Sequence, residues 1–131
     1  MRDRIFLDTN ILVYALLDEG HKQKTAFDLL QTGCVISTQV LNEFAQVARK
    51  KSKLDWQEIA DLSNAIQTLT EITALDKNVH NLGLEIAAQY GYSFYDSLII
   101  AAALGAKCNL LISEDMQHGQ RIEALVISNP F

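Results

Sequence analysis

Four carboxylates in this chain are placed where they could act together on one ion. Asp8 and Asp115 each follow a short apolar run, while Glu43 and Asp96 lie within segments of helical periodicity. Carboxylates without Cys or His ligands select hard cations such as Mg²⁺ or Mn²⁺. A divalent cation held in this way lowers the pKa of water and offsets negative charge on a phosphoryl oxygen. The residue types therefore point to hydrolysis of phosphodiester bonds.

The elements that must position these acids alternate between strands and helices. Apolar runs that end in polar turn residues predict strands at 4–7, 34–37, 71–73, 109–113 and 124–127. Apolar residues spaced three and four apart predict helices at 22–31, 38–51, 56–70, 79–90 and 95–104. Strands that alternate with helices imply right-handed crossovers. The predicted fold class is therefore α/β, with a mainly parallel sheet covered by helices on both faces.

In such a sheet, ligands bind in the crevice beyond the carboxyl ends of the strands. Asp8 and Asp115 would lie just past two of these ends, and Glu43 would lie in the second turn of the helix that follows a third. Residues three and four apart share a helix face, so Glu43 lies beside the apolar stripe of its helix. Asp96 precedes apolar positions of its own helix by three and four residues. A charge in such surroundings is costly unless it is paired or bound to a metal.

Structural roles could also explain each acid singly. Asp8 or Asn10 could cap the next helix, and Ser93 with Asp96 has the spacing of a capping box. Asp115 could lie in an ordinary turn, and the side chain of Glu43 could point to solvent. Four independent roles of this kind explain poorly why all four acids fall at one predicted edge of the sheet.

The composition fits one compact domain over residues 1–131, with 49% apolar residues and one proline. The sequence has 16 acidic and 11 basic residues, a net charge of −5. Nucleic-acid-binding proteins usually carry a basic surface, so this charge taken alone argues against such a role. Buried acids that serve as metal ligands would account for part of the excess.

The remaining composition predicts a soluble cytoplasmic protein. Cys34 and Cys108 are isolated, which is typical of core residues in a reducing compartment. Residues 1–17 superficially resemble a signal peptide, but the polar residues 8–10 interrupt the apolar region. The longest apolar run, 98–106, is shorter than the roughly 20 residues that cross a bilayer.

Two interpretations of the densest basic run remain open. Arg49, Lys50, Lys51 and Lys53 could contact RNA phosphates, or they could complement the dipole at the end of a helix and remain solvated. Lys22 and Lys24 form a second candidate patch. The helices between 38 and 70 could expose an apolar groove for a partner helix, and the stripe of Trp56, Ile59, Leu62, Ile66 and Leu69 is expected in the core. His118 shows no metal-ligand spacing with another histidine.

The order and spacing of the motifs resemble the PIN-domain family, and specifically its VapC-type toxin ribonucleases. The matching segments are FLDTNILVYA (6–15), TQVLNEFAQVARKK (38–51), YSFYDSLIIAAALGAKCNLLISEDMQHG (92–119) and the closing residues 126–131. The resemblance covers essentially the whole chain. It implies a Mg²⁺- or Mn²⁺-dependent endoribonuclease of a toxin–antitoxin pair, usually a homodimer with an antitoxin partner.

The resemblance also implies roles for individual residues. Asp8, Glu43, Asp96 and Asp115 match the four catalytic acids of the family, and three of them, Asp8, Asp96 and Asp115, match its metal ligands. Asn10 and Ser113 match polar residues that order the site. Glu114 adjoins Asp115 and is a second candidate to reach the metal.

Two other functions compete with a ribonuclease. Asp8 could be the nucleophile of a phosphatase similar to haloacid dehalogenases, although that family has a second Asp where this chain has Asn10. A catalytically silent binding module could also keep the PIN shape for contacts with other proteins.

Overall fold

The central sheet has six strands, which a computed structural model describes within residues 3–18 and 20–131. The strands are β1 (Ile5–Leu7), β2 (Val35–Ser37), β3 (Glu71–Thr73), β4 (Leu110–Ile112), β5 (Arg121–Ile122) and β6 (Leu125–Ser128). Their spatial order is β3-β2-β1-β4-β6-β5. Every neighbouring pair is parallel except β5 with β6, which is antiparallel. The predicted α/β class with a mainly parallel sheet is confirmed.

Six helices flank this sheet. They are α1 (Thr9–Leu16), α2 (Gln23–Leu30), α3 (Thr38–Lys50), α4 (Trp56–Leu69), α5 (Lys77–Tyr90) and α6 (Phe94–Gly105). The five predicted strands and five predicted helices are confirmed to within about two residues at each end, which is the usual uncertainty of element boundaries. In the described part of the chain, no helix has the length and apolar character needed to span a membrane.

Two elements were not predicted. Helix α1 consists of the eight residues TNILVYAL, whose apolar side chains leave no polar face to give a helical period. Strand β5 has only two residues and pairs with β6 across a tight connection. Both elements depend on tertiary contacts more than on local pattern.

The core fills the space between sheet and helices, with α6 as its most deeply buried helix. Seven consecutive residues of α6, 97–103, are buried, which explains why that segment of the sequence has almost no polar face. All three residues of β2 are buried as well. The helix is held at its start by Ser93, whose hydroxyl accepts a hydrogen bond from the backbone N–H of Asp96 at 3.2 Å. The site-bearing turn of α6 is therefore anchored by a cap and by the core.

One expectation for the core is wrong in part. Ile59 and Ile66 of α4 are buried, but Trp56 is 63% exposed and Leu69 is 40% exposed. The stripe therefore faces the core only in the middle of the helix, and the indole at its first residue lies beside Arg49. The guanidinium carbon of Arg49 lies 5.0 Å from the centre of the indole ring.

Helices α5 and α6 approach closely at Gly83. A Cβ added to Gly83 would lie 2.6 Å from Cδ2 of Leu98 and 3.5 Å from Cα of Leu98. Leu98 is only 3% exposed, so its side chain has little room to move away. Gly83 therefore permits the packing that sets the position of α6.

We expect Gly83→Ala to destabilise the protein relative to Gly105→Ala. Both changes favour helix formation, but only the first forces an extra carbon into the core, which costs about 1–3 kcal/mol. A Cβ at Gly105 would meet its nearest neighbour at 4.0 Å. Urea unfolding of the two variants measures the difference in free energy, and equal midpoints would contradict close packing at Gly83.

Candidate active site

The register between β1 and β4 brings two polar residues side by side at the carboxyl edge of the sheet. Leu7 pairs with Ile112 at the ends of the two parallel strands. The next residues are Asp8 and Ser113, and the hydroxyl of Ser113 donates a hydrogen bond to Oδ2 of Asp8 at 2.8 Å. Ser113 is fully buried and Asp8 is 5% exposed. Strand pairing thus fixes the first carboxylate in a nearly closed environment.

The structure brings all four acids to one small cavity at this edge. The cavity has a volume of about 170 Å³ and is lined by Asp8, Thr9, Asn10, Glu43, Val47, Asp96, Ile99 and Asp115. The acids come from the end of β1, from α3, from the first turn of α6 and from the segment after β4. No lysine, arginine or histidine of the described residues lines the cavity.

Asp8 is both a helix cap and the most perturbed carboxylate of the cavity. As N-cap of α1, it accepts a hydrogen bond from the backbone N–H of Thr9 at 2.7 Å. Burial raises the pKa of Asp8 to about 6, against the opposing effect of the hydrogen bonds from Ser113 and Thr9. The negative charges of Asp96 and Asp115 raise it further. The capping role therefore coexists with a place in the acidic cluster.

Asp96 is half-buried at the start of α6. Burial raises its pKa, the hydroxyl of Ser93 lowers it, and the charge of Asp115 raises it. Ser93 is the N-cap of the helix, as the capping-box spacing predicts. The reciprocal hydrogen bond, from the backbone N–H of Ser93 to the carboxylate of Asp96, is not formed within the described chain. The carboxylate of Asp96 thus remains directed to the cavity.

Glu43 and Asp115 are each held by a neighbour from α1. The hydroxyl of Thr9 donates a hydrogen bond to Oε1 of Glu43 at 2.7 Å, and the side-chain amide of Asn10 donates one to Oδ2 of Asp115. The backbone N–H of Asp115 also donates to the hydroxyl of Ser113 at 3.2 Å. Thr9 was missed as a site residue, and its only signal in the sequence is its place between Asp8 and Asn10. The first turn of α1 thus orients two acids that are distant in sequence.

Glu114 is turned away from the cavity although it adjoins Asp115. Its carboxylate accepts hydrogen bonds from the hydroxyl of Tyr14 at 2.8 Å and from the ammonium group of Lys22. These bonds lower the pKa of Glu114. Asp115, rather than Glu114, therefore faces the other acids.

The second basic patch is not a free cationic surface. Lys22 is paired with Glu114 and lies 4.8 Å from the ring centre of Tyr14, and Lys24 is paired with Asp28 at 2.9 Å. These contacts occupy both ammonium groups with intramolecular partners. Because an exposed ion pair such as Lys24–Asp28 contributes little, phosphate contact at these two lysines stays a prediction.

The first basic run lies at the carboxyl end of α3. Arg49 and Lys50 are in the last turn of the helix, where cations complement the helix dipole. Arg49 also donates a hydrogen bond to the carbonyl oxygen of Leu54 at 3.1 Å. Lys50, Lys51 and Lys53 are exposed. The placement agrees with either interpretation of this run.

Two further candidates take definite places. His118 lies outside the cavity, and its Nδ1 accepts a hydrogen bond from the backbone N–H of Asn129 at 3.0 Å. A groove of about 710 Å³ runs along α3, one of the helices expected to expose a groove. It adjoins the acidic cavity and is lined by Gln39, Asn42, Glu43, Gln46, Val47, Leu75 and Tyr95.

The oxygen-only donor set of the cavity fits a hard divalent cation such as Mg²⁺. Burial and mutual repulsion oppose ionisation of Asp8 and Asp96, which a cation would relieve. As the side chains stand, however, no group of three or more His, Cys, Asp or Glu within residues 3–18 and 20–131 is arranged to hold a metal ion. The donors from Thr9 and Asn10 each engage one oxygen of Glu43 and Asp115, and the second oxygen of each carboxylate accepts no hydrogen bond from the described residues.

We expect Ser113→Ala to lower the free energy of unfolding by about 1–3 kcal/mol at neutral pH, because the buried Asp8 carboxylate loses a hydrogen-bond donor. Ser128→Ala is the matched control. It removes a hydroxyl from the neighbouring strand β6 that makes no side-chain hydrogen bond in the described chain. Urea unfolding of both variants tests the difference, and an unchanged Ser113→Ala midpoint would contradict this role of Ser113.

Comparison with known structures finds the same fold in several solved proteins. A toxin–antitoxin complex from Klebsiella pneumoniae aligns with a TM-score of 0.75 and 20% identity over 97% of this chain and 98% of that one. A DNA-bound VapBC from Salmonella typhimurium aligns with a TM-score of 0.72 and 19% identity over 99% and 100%. VapC20 from Mycobacterium tuberculosis, a toxin that cleaves the sarcin-ricin loop, aligns with a TM-score of 0.70 and 18% identity over 85% and 91%. At these identities the likeness shows a shared fold.

A search of curated proteins finds no significant match to the sequence. A family model does match, and it extends from residue 5 to residue 121. That range includes all four acids of the cavity and the strands β1 to β4, and it ends at the first residue of β5. The chain therefore belongs to the PIN-domain family.

Proposed function

We propose that this chain is a metal-dependent endoribonuclease, the toxin of a VapC-type toxin–antitoxin pair, with residues 1–131 forming one PIN domain. The observation that carries the proposal is the convergence of four carboxylates from four separate elements on one cavity. Membership of the PIN family and the likeness to toxin–antitoxin structures support it. VapC20, which shares the fold, is a toxin that cleaves RNA.

Each acid has a distinct part in the proposed reaction. Asp8, Asp96 and Asp115 would hold one or two Mg²⁺ or Mn²⁺ ions. Such ions supply charge neutralisation at a phosphoryl group and lower the pKa of water. Glu43, held by the Thr9 hydroxyl, would orient the attacking water. Asn10 and Ser113 would keep Asp115 and Asp8 in place through their hydrogen bonds.

The substrate and partners follow from the same proposal. RNA would be bound with help from phosphate contacts at Arg49, Lys50, Lys51 and Lys53. A cognate antitoxin would bind the toxin, and two toxin chains would associate as a homodimer. The protein would act in the cytoplasm, where its RNA substrate is found.

A catalytically silent PIN module is the second candidate. It is favoured by one observation, the lack of a ready three-ligand group among the described side chains. A phosphatase with Asp8 as nucleophile has less support. The residue two positions later, Asn10, donates to Asp115 and has no acidic proton to give to a leaving group.

We expect Asp8→Asn or Asp96→Asn to reduce RNA cleavage by about 100-fold or more, because each removes charge from the site that stabilises the transition state. Glu114→Gln and Asp115→Asn form a matched pair of adjacent positions, and only the second should lose activity. Circular dichroism verifies the fold of each variant. Cleavage of labelled RNA by antitoxin-free protein in Mn²⁺ is the measurement, and full activity in folded Asp8→Asn would rule out the assignment.

Mn²⁺ should stabilise the protein only when the acids of the cavity are intact. A ligand at 100 times its Kd adds about 2.7 kcal/mol to the free energy of unfolding, which corresponds to a rise of several degrees in Tm. The increment caused by Mn²⁺ should disappear in Asp8→Asn/Asp96→Asn and persist in Asp28→Asn, whose carboxylate is exposed and paired with Lys24. An Mn²⁺ increment near zero in the unaltered protein, with no cleavage, would favour the silent module.

A further inference from the structure

The exposed indole of Trp56 is the least expected feature of the surface. Trp56 is 63% exposed, although it is the largest apolar side chain of its helix and the chain has no other tryptophan. Its ring is not loosely placed, because Arg49 lies beside it at 5.0 Å and is itself tied to the carbonyl oxygen of Leu54. The indole therefore combines a large exposed surface with one neighbouring guanidinium group.

Along the chain, a track of three exposed lysines, Lys50, Lys51 and Lys53, separates the cavity-lining residues of α3 from this indole. Glu43 and Val47 of α3 line the cavity, and Lys50 and Lys51 follow three and four residues after Val47. Residues with this spacing share a helix face, so the face that borders the cavity continues onto the two lysines. At 1.5 Å per residue, Lys50 lies about 10 Å along the helix from Glu43. The loop after the helix connects the lysines to Trp56, which packs against Arg49. Arg49 is six residues after Glu43 and two after Val47, so it lies on a different side of α3 from the face that borders the cavity.

The charges along this track are suited to a nucleic-acid strand. Lys50, Lys51 and Lys53 are exposed, and none of them forms an ion pair in the described chain. The nearest acids in sequence, Asp55 and Glu58, are held in a capping box, where each carboxylate accepts a backbone N–H of the other residue. Both carboxylates are thus held at the start of α4, and neither forms an ion pair with the lysines in the described chain.

We propose that Arg49 and Trp56 form a stacking platform for an unpaired base of single-stranded RNA, at the end of a phosphate track made by Lys50, Lys51 and Lys53. The inference rests on the proposed ribonuclease function and adds to it a binding site for one base outside the acidic cavity. An aromatic ring stacks on any base and contributes about 1–3 kcal/mol per base. Arg49 fixes the ring on one side, and the exposed remainder of the indole receives the base. Duplex RNA, whose bases are already stacked, has no base to offer.

The single tryptophan makes the platform directly observable. In EDTA, where metal-dependent cleavage is suppressed, titration with a ten-nucleotide oligoadenylate should quench the emission of Trp56. An RNA duplex of equal length should quench it far less. Fluorescence anisotropy with a labelled oligoadenylate should show that Trp56→Ala weakens binding by about 5- to 150-fold. Trp56→Phe should keep most of the affinity, because it keeps an aromatic face.

Leu69→Ala is the control for loss of an exposed apolar residue, since Leu69 lies at the opposite end of α4 and is 40% exposed.

Lys50→Ala/Lys51→Ala should lower the slope of log affinity against log salt by about 1.4, and Lys77→Ala, in the exposed first turn of α5, should leave it unchanged. Equal affinity of Trp56→Ala and the unaltered protein would overturn the proposal. The proposal would also be overturned if the emission of Trp56 stayed unchanged in a complex with RNA and was quenched only when a protein partner bound.

The platform and the ribonuclease function fail in different ways. Cleavage of RNA in Mn²⁺ by Trp56→Ala at the rate and affinity of the unaltered protein would leave the nuclease standing without the platform. Quenching of Trp56 by single-stranded RNA in a protein that never cleaves RNA would leave the platform standing as a binding surface without the nuclease.

Discussion

The parallel pairing of β1 with β4 is the constraint on which the candidate site depends. Because Leu7 and Ile112 are in register, the chains leave the sheet together, and Asp8 emerges against the hydroxyl of Ser113. The backbone N–H of Asp8 also donates to the carbonyl oxygen of Ile112 at 3.0 Å. A shift of one residue in either strand would turn Asp8 to the other face of the sheet. Helices α3 and α6 bring further acids to a place that the two strands have already defined.

Neutral hydrogen-bond donors, rather than cationic side chains, reduce the repulsion between the carboxylates of the cavity. Each of Asp8, Glu43 and Asp115 accepts a hydrogen bond from a hydroxyl or an amide, which stabilises the charged form without cancelling the charge. Because no cationic side chain of the described residues lines the cavity, the potential at this edge of the sheet is negative once the acids are ionised. Such a potential attracts a divalent cation and repels a bare phosphate, so RNA would need positive groups elsewhere along its path.

The sequence predicted most of the fold because its strands and long helices carry clear periods. It also indicated the acids, since carboxylates beside apolar stripes have few explanations. The roles of Thr9 and Glu114 could not be predicted. The residue type of Thr9 does not mark it as a site residue, and only the strand register places it beside Glu43. Glu114 and Asp115 are both carboxylates, and only the structure shows that their side chains leave the turn in different directions. The exposure of Trp56 could not be predicted either, because helical periodicity does not show at which residue an apolar stripe stops facing the core.

The hydrogen bonds that Tyr14 and Lys22 donate to Glu114 limit which substitutions the chain can accept at these positions. Tyr14 on α1 and Lys22 beside α2 hold one of two adjacent carboxylates, and the other is left to the cavity. Phe131 closes the same cluster with its ring edge-on to Tyr14 at 5.4 Å. Glu114 and Asp115 therefore cannot exchange roles, although they are adjacent carboxylates. Relatives that lose the lysine or the tyrosine would release a fifth negative group beside the cavity, and compensating changes should therefore appear at these positions together.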